Sequence, residues 1–133
     1  MISIVDYPTF KINFDEVNRT LIVIDTTSAE VQEDDIRNII STIEKIILEY
    51  KPVNYLTDNK LRKYVFSVEM QEWVANTLLQ ACLAVDLKKF AVVQPEELVA
   101  SLSNEQVADE AGENPVQVAF FHTMEQAKKW LGI

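Results

Sequence analysis

Covalent and acid–base chemistry would have to come from very few side chains, because Cys82 is the only cysteine and His122 the only histidine. A lone imidazole can act as an acid or a base, but catalysis needs a second group that orients it, and few partners for His122 are visible. We therefore expect His122 to be a surface or cap-adjacent residue. Cys82 lies between apolar neighbours in a helical pattern, which favours a buried thiol, since a reactive cysteine needs an exposed electropositive setting.

Cofactor and metal sites find little support in the composition. Gly112 and Gly132 are the only glycines, too few for a phosphate-binding loop or a dinucleotide fingerprint, which need flexible backbone close to phosphate. One cysteine and one histidine also exclude a structural zinc set. We predict no cofactor, no metal and no catalytic residue. Asp25 and Asp58 could pair at one sheet edge, although aspartates after strands more often accept hydrogen bonds from backbone N–H groups.

The strongest candidate for a binding site is a cluster of cationic, apolar and aromatic residues from Lys60 to Phe66. It lies in a chain whose formal net charge is -9, a charge that repels phosphate backbones, so we predict no nucleic-acid partner. The cluster could bind an acidic protein, an anionic ligand or a membrane surface; alternatively, it is a solvated loop whose aromatic residues pack into the core. The candidate binding residues are Asp58, Asn59, Lys60, Arg62, Lys63, Tyr64 and Phe66.

Hydrophobic periodicity predicts the elements that position these residues. Residues 10–14 alternate as a half-buried strand, and the apolar run 21–24 indicates a strand covered on both faces. A stripe at helical spacing predicts a long helix, with Thr27 and Glu30 resembling a capping box before it and Pro52 after it. The stripe consists of Ile36, Ile39, Ile40, Ile43, Ile46, Ile47 and Tyr50.

The second half of the chain repeats the strand-then-helix order. We predict strands at residues 53–57, 90–93 and 116–121, a second long helix capped by Ser67, and a last helix capped by Thr123 with Gln126. Pro95 opens a broken helix that Gly112 ends. Helical connections require parallel neighbouring strands. The sequence therefore predicts one α/β domain over residues 1–133, with a mixed, mostly parallel five-stranded sheet, an antiparallel N-terminal strand and helices on both faces.

This pattern resembles the SpoIIAA-like group of STAS/SEC14-type domains, which wind a strand-helix superhelix over a mixed sheet. The resemblance covers most of the chain. The stretches that carry it are Leu21-Ile22-Val23-Ile24-Asp25, Asp58-Asn59, Ser67-Val68-Glu69-Met70-Gln71-Glu72-Trp73 and the ending from Phe121 to Leu131.

The resemblance implies a regulatory binding role and, in anti-sigma-factor antagonists, a phosphorylated serine in an Asp-Ser-Ser-Gly-like turn just after the third strand. This chain has Asp58-Asn59-Lys60 at that place. Ser67 lies beyond the basic loop and lacks a following glycine. We therefore do not transfer the phosphoserine switch, and we interpret Ser67 as a helix N-cap.

We expect a non-enzymatic, cytoplasmic module that binds an unknown protein partner, perhaps a second copy of itself as a homodimer. No stretch approaches the roughly 18 apolar residues of a membrane span, so none is predicted. The alternative is a SEC14-like carrier that holds an apolar or anionic ligand between the second helix and the sheet. A weaker rival is a hydrolase that uses Ser67 or His122.

Overall fold

The computed structural model describes residues 1–96 and 115–133. The helix predicted between Pro95 and Gly112 lies largely outside this part of the chain. The described elements are β1 (Ile2–Tyr7), β2 (Phe10–Asp15), β3 (Thr20–Asp25), α1 (Glu33–Tyr50), β4 (Asn54–Asp58), α2 (Val68–Ala84), β5 (Lys89–Val93), β6 (Gln117–Phe121) and α3 (Met124–Leu131).

The strands described form one six-stranded sheet in the order of the sequence. The pairs β1–β2 and β2–β3 are antiparallel, and the three pairs from β3 to β6 are parallel. The mostly parallel sheet with an antiparallel N-terminal start is confirmed. The predicted number of five strands is wrong, because β1 adds a strand outside β2.

The extra strand β1 gives a weak sequence signal for a physical reason. It is an edge strand, none of its side chains is buried, and its register shifts between Ser3 and Val5. Its two partly buried residues, Ile4 and Val5, are adjacent in the sequence, so β1 does not show the strict alternation by which strands are recognised.

Helices cover both faces of the sheet, as predicted. On one face, α1 and α2 pack against alternate residues of β2 and β3, and α1 buries five isoleucines at helical spacing: Ile36, Ile40, Ile43, Ile46 and Ile47. On the other face, α3 buries Ala127 and Leu131 against Ile22 of β3 and its neighbours in β4 and β5. Three of the four parallel strands, β3, β4 and β5, are therefore covered on both sides.

The predicted helix caps at Ser67 and Thr123 are confirmed. The Ser67 hydroxyl accepts a hydrogen bond from the backbone N–H of Met70 at 3.2 Å, and the Thr123 hydroxyl accepts one from Gln126 at 3.1 Å. The capping box at Thr27 is wrong, because α1 begins only at Glu33 and Gln32 precedes it without a side-chain cap. Thr27 is buried, and its hydroxyl donates to Asp25 instead.

The buried face of α1 generates a stability prediction. Ile47 is 0% exposed, whereas the neighbouring Leu48 is 45% exposed. We expect Ile47→Asp to lower the free energy of unfolding by about 4 kcal/mol or more, because a carboxylate without a partner enters the core. Leu48→Asp, the matched control, should cost less than about 1 kcal/mol. Urea unfolding followed by circular dichroism measures both, and equal losses would show that this face of α1 is not the core face.

Candidate functional site

A cavity of about 130 Å³ lies on the face of the sheet that α1 and α2 cover. Side chains from α1, α2 and four strands line it, and most of them are apolar. They include Val23, Ile39, Ile40, Ile43, Tyr55, Val74, Ala75, Leu78, Leu79, Cys82, Phe90, Val92, Val116, Val118 and Phe120. The sequence does not predict a void here, because these residues have the same helical and strand spacing as ordinary core residues.

One end of the cavity is polar and coincides with the carboxyl ends of β3 and β4. Asp25, Thr57, Asn59 and Arg62 line it there. The Thr57 hydroxyl donates to Oδ1 of Asn59 at 2.8 Å, which directs the donor NH₂ of that amide away from Thr57. Asn59 and Arg62 belong to the predicted binding residues, whereas the sequence predicts only that Thr57 ends a strand.

Arg62 is the unusual residue of this polar end, because its side chain is only 3% exposed. Its guanidinium lies over the ring of Phe66, 4.6 Å from the ring centre. Burial lowers the pKa of Arg62 to about 10, and the nearby carboxylate of Asp25 opposes part of that change. The side chain therefore remains a cation at neutral pH, held inside the protein at the boundary of the cavity.

The segment from Asp58 to Phe66 alternates between inward and outward side chains. Arg62, Tyr64 and Phe66 are buried, while Leu61, Lys63 and Val65 are exposed. The two aromatic rings pack edge to face, 5.7 Å apart. The structure therefore separates the predicted cationic cluster, with Arg62 facing the cavity and the lysines facing outward.

Backbone hydrogen bonds attach this segment to the end of β5, to the residues after β5 and to the turn after β3. The N–H of Asn59 donates to the carbonyl of Val93, and the carbonyl of Lys60 accepts from the N–H of Glu96. The N–H of Lys63 donates to the carbonyl of Thr27. These bonds hold the loop in one position, so both of its faces have a defined geometry.

The two strand-end aspartates serve local turns. Oδ1 of Asp25 accepts hydrogen bonds from the backbone N–H and the hydroxyl of Thr27, at 3.0 and 2.8 Å. Oδ1 of Asp58 accepts from the N–H of Lys60 at 3.1 Å. Each carboxylate thus has the turn-stabilising role that we favoured from the sequence. Within residues 1–96 and 115–133, no three cysteine, histidine or acidic side chains come together as a metal-ligand group would.

His122 is exposed in the turn between β6 and α3, where its N–H donates to the side chain of Gln126 at 3.2 Å. This position is the cap-adjacent one expected from the sequence. Ser67, although close to the candidate segment in sequence, uses its hydroxyl to cap α2.

The cap at Ser67 gives a prediction that separates a structural serine from a dispensable one. Ser67→Ala should lower the free energy of unfolding by about 1 kcal/mol, because the N–H of Met70 loses its acceptor. Ser67→Asp should stay close to wild type, since a carboxylate accepts the same hydrogen bond at a helix N-terminus. Chemical unfolding measures both variants, and an alanine variant as stable as the wild type would argue against the capping role.

Cys82 contributes to the cavity wall as a buried thiol, and burial raises its pKa to about 12. A thiol that stays protonated at neutral pH is a poor nucleophile. We expect Cys82 in the folded protein to react with an aromatic disulfide reagent about 100-fold more slowly than in the urea-unfolded chain. Absorbance of the released thiolate measures the rate, and comparable rates in the two states would identify an activated, accessible cysteine.

A protein-family model described as SpoIIAA-like matches residues 22–132, which run from within β3 to the residue after α3. The match includes the whole segment from Asp58 to Phe66. No curated protein matches the chain significantly.

Proposed function

Because the chain belongs to the SpoIIAA-like family, we propose that it is a non-enzymatic regulatory module that binds a protein partner in the cytoplasm. SpoIIAA-like STAS domains are generally regulatory modules without catalytic activity. No helix among the described residues has both the length and the apolar character needed to cross a bilayer. The observation that carries the proposal is the outward side of the Asp58–Phe66 segment.

That outward side combines apolar and cationic groups. Leu61 is 60% and Val65 39% exposed, and Val68 at the start of α2 is 79% exposed. Lys60 and Lys63 are also exposed, and Nζ of Lys60 lies 3.9 Å from Oε1 of Glu96. We call Lys60, Leu61, Lys63, Val65 and Val68 the outer face. Exposed apolar side chains beside lysines suit a partner with an apolar, acidic surface.

The anchoring of the segment supports the same proposal. A loop held by backbone hydrogen bonds at Asn59, Lys60 and Lys63 loses little conformational freedom when a partner binds. The inward residues Tyr64 and Phe66 add to this by filling the core beneath the loop. The outer face is thus presented in one conformation, as an interaction surface needs to be.

The proposal does not include a phosphoserine switch. The turn after β4 contains Asp58, Asn59 and Lys60. The next serine in the sequence is Ser67, whose hydroxyl caps α2.

The outer face gives the following prediction. In affinity capture from the native cell extract, followed by quantitative mass spectrometry, Leu61→Ser/Lys63→Glu should reduce the specific partner by at least about tenfold, because it removes one apolar and one cationic contact. The matched control is Lys45→Glu/Leu48→Ser, which changes an exposed lysine and an exposed leucine on α1.

Both double variants should melt close to the wild type, since all four positions are exposed. Equal capture by the two variants would show that the partner binds elsewhere. If the captured species is the chain itself, analytical ultracentrifugation of the same variants decides whether the outer face forms a homodimer.

A second candidate function is carriage of a small ligand, and the cavity is the specific observation that favours it. It lies between the helices α1 and α2 and the sheet, its walls are largely apolar, and polar groups line one end. Pockets that bind small molecules have this composition, in which a few polar groups fix the orientation of an otherwise apolar ligand.

A further inference from the structure

We propose that the cavity binds a small monocarboxylate, whose apolar body lies among α1, α2 and the sheet and whose carboxylate is held by Arg62 and Asn59. This inference rests on the second candidate function, ligand carriage, and adds the chemical class of the ligand to it.

The size of the cavity sets the size of the apolar body. A protein cavity of about 150 Å³ accommodates benzene, and the volume here is about 130 Å³. Because polar groups line one end of the cavity, a carboxylate placed there does not need to occupy the apolar volume. The ligand should therefore have about six to nine non-hydrogen atoms, as in an aromatic or short aliphatic acid.

The walls require that this body be apolar. Ile43 of α1, Leu78 of α2 and Phe90 of β5 line the cavity from three sides. A second charged group placed among such side chains would lose its hydration without gaining a partner, which costs several kcal/mol. A ligand with a single charged end fits these walls, and a dicarboxylate does not.

The polar end supplies hydrogen-bond donors in the arrangement that a carboxylate needs. The guanidinium of Arg62 has five N–H donors in a planar fork, enough to serve acceptors of the protein and of a ligand together. Asn59 lines the same end of the cavity. Because Oδ1 of this amide accepts from Thr57, its NH₂ group is the part that can donate to a ligand. Charge-assisted hydrogen bonds of this kind are roughly twice as strong as neutral ones.

Among the described residues, Asp25 is the one carboxylate that lines the cavity, and it limits the charge of the ligand. Its Oδ1 is already engaged by two donors of Thr27. Burial depresses the pKa of Arg62 more than Asp25 raises it, so a further anion would favour the cationic form of the guanidinium. A dianionic phosphate beside Asp25 would meet more repulsion than a carboxylate does, which favours the monoanion.

The inference is tested with pairs of probes that differ mainly in charge. Benzoate is compared with benzyl alcohol, hexanoate with hexanol, and benzylamine and phenyl phosphate complete the set. Binding to the full chain at neutral pH is followed by chemical-shift changes of backbone amides. We expect each carboxylate to bind at least about tenfold more tightly than its alcohol, with no saturation by benzylamine and weaker binding of phenyl phosphate.

The variants separate the buried cation from the exposed ones. Arg62→Met should remove the preference for carboxylates over alcohols, and Arg62→Lys should retain part of it, because a lysine keeps the charge without the fork. Lys45→Met, which removes an exposed cation of α1 outside both candidate sites, should leave all affinities unchanged. If Arg62→Met does not fold, the ratio of carboxylate to alcohol affinity in the wild type and in Arg62→Lys still decides the question.

Equal affinities for carboxylates and alcohols would overturn the inference while leaving ligand carriage intact. Absence of saturable binding by both carboxylates up to about 10 mM would overturn the inference, and absence of saturable binding by the alcohols as well would overturn the carriage function with it. Tighter binding of phenyl phosphate than of benzoate would replace the carboxylate by a phosphate ester. Partner capture through the outer face is unaffected by these outcomes, because it is measured with different residues.

Discussion

The structure depends on burying three parallel strands, β3, β4 and β5, on both of their faces. Their side chains are largely apolar in both directions, so α1 and α2 must cover one face and α3 the other. Parallel strands connected by helices place the carboxyl ends of β3 and β4 at the same edge. The turn that contains Asp25 and the segment that begins at Asp58 meet there as a consequence. The candidate site is therefore a product of how the sheet is covered.

A buried arginine at this edge is the feature that ordinary core packing explains least. Removing a guanidinium from water is costly, and the lowered pKa of Arg62 reflects that cost. The ring of Phe66 and the charge of Asp25 offset part of it. In the proposed ligand site, Arg62 brings charge to a largely apolar space, which a solvated lysine could not do.

The inner and outer sides of one short segment connect the two candidate functions. In an extended stretch, successive side chains point in opposite directions, so Arg62, Tyr64 and Phe66 face the interior while Leu61, Lys63 and Val65 face solvent. A change in the cavity and a change on the surface therefore act on the same backbone. A ligand beside Arg62 would act at the sheet edge where β4 ends, on the same backbone that carries the outer face.

The sequence by itself determined the elements with strong periodicity: the α1 stripe, the caps at Ser67 and Thr123, the mostly parallel sheet and the family. These features arise from local spacing and from burial of one face, which the order of residues records directly. Tertiary structure decided the rest. β1 has no fully buried side chain and no alternating pattern, so only its pairing with β2 identifies it as a strand. Arg62 looked like part of a surface cluster with Lys60 and Lys63, because composition does not state which way each side chain points. The cavity has no sequence signal at all, since an isoleucine that lines a void and one that fills the core follow the same period, and only the packing of α1 and α2 over the sheet distinguishes them.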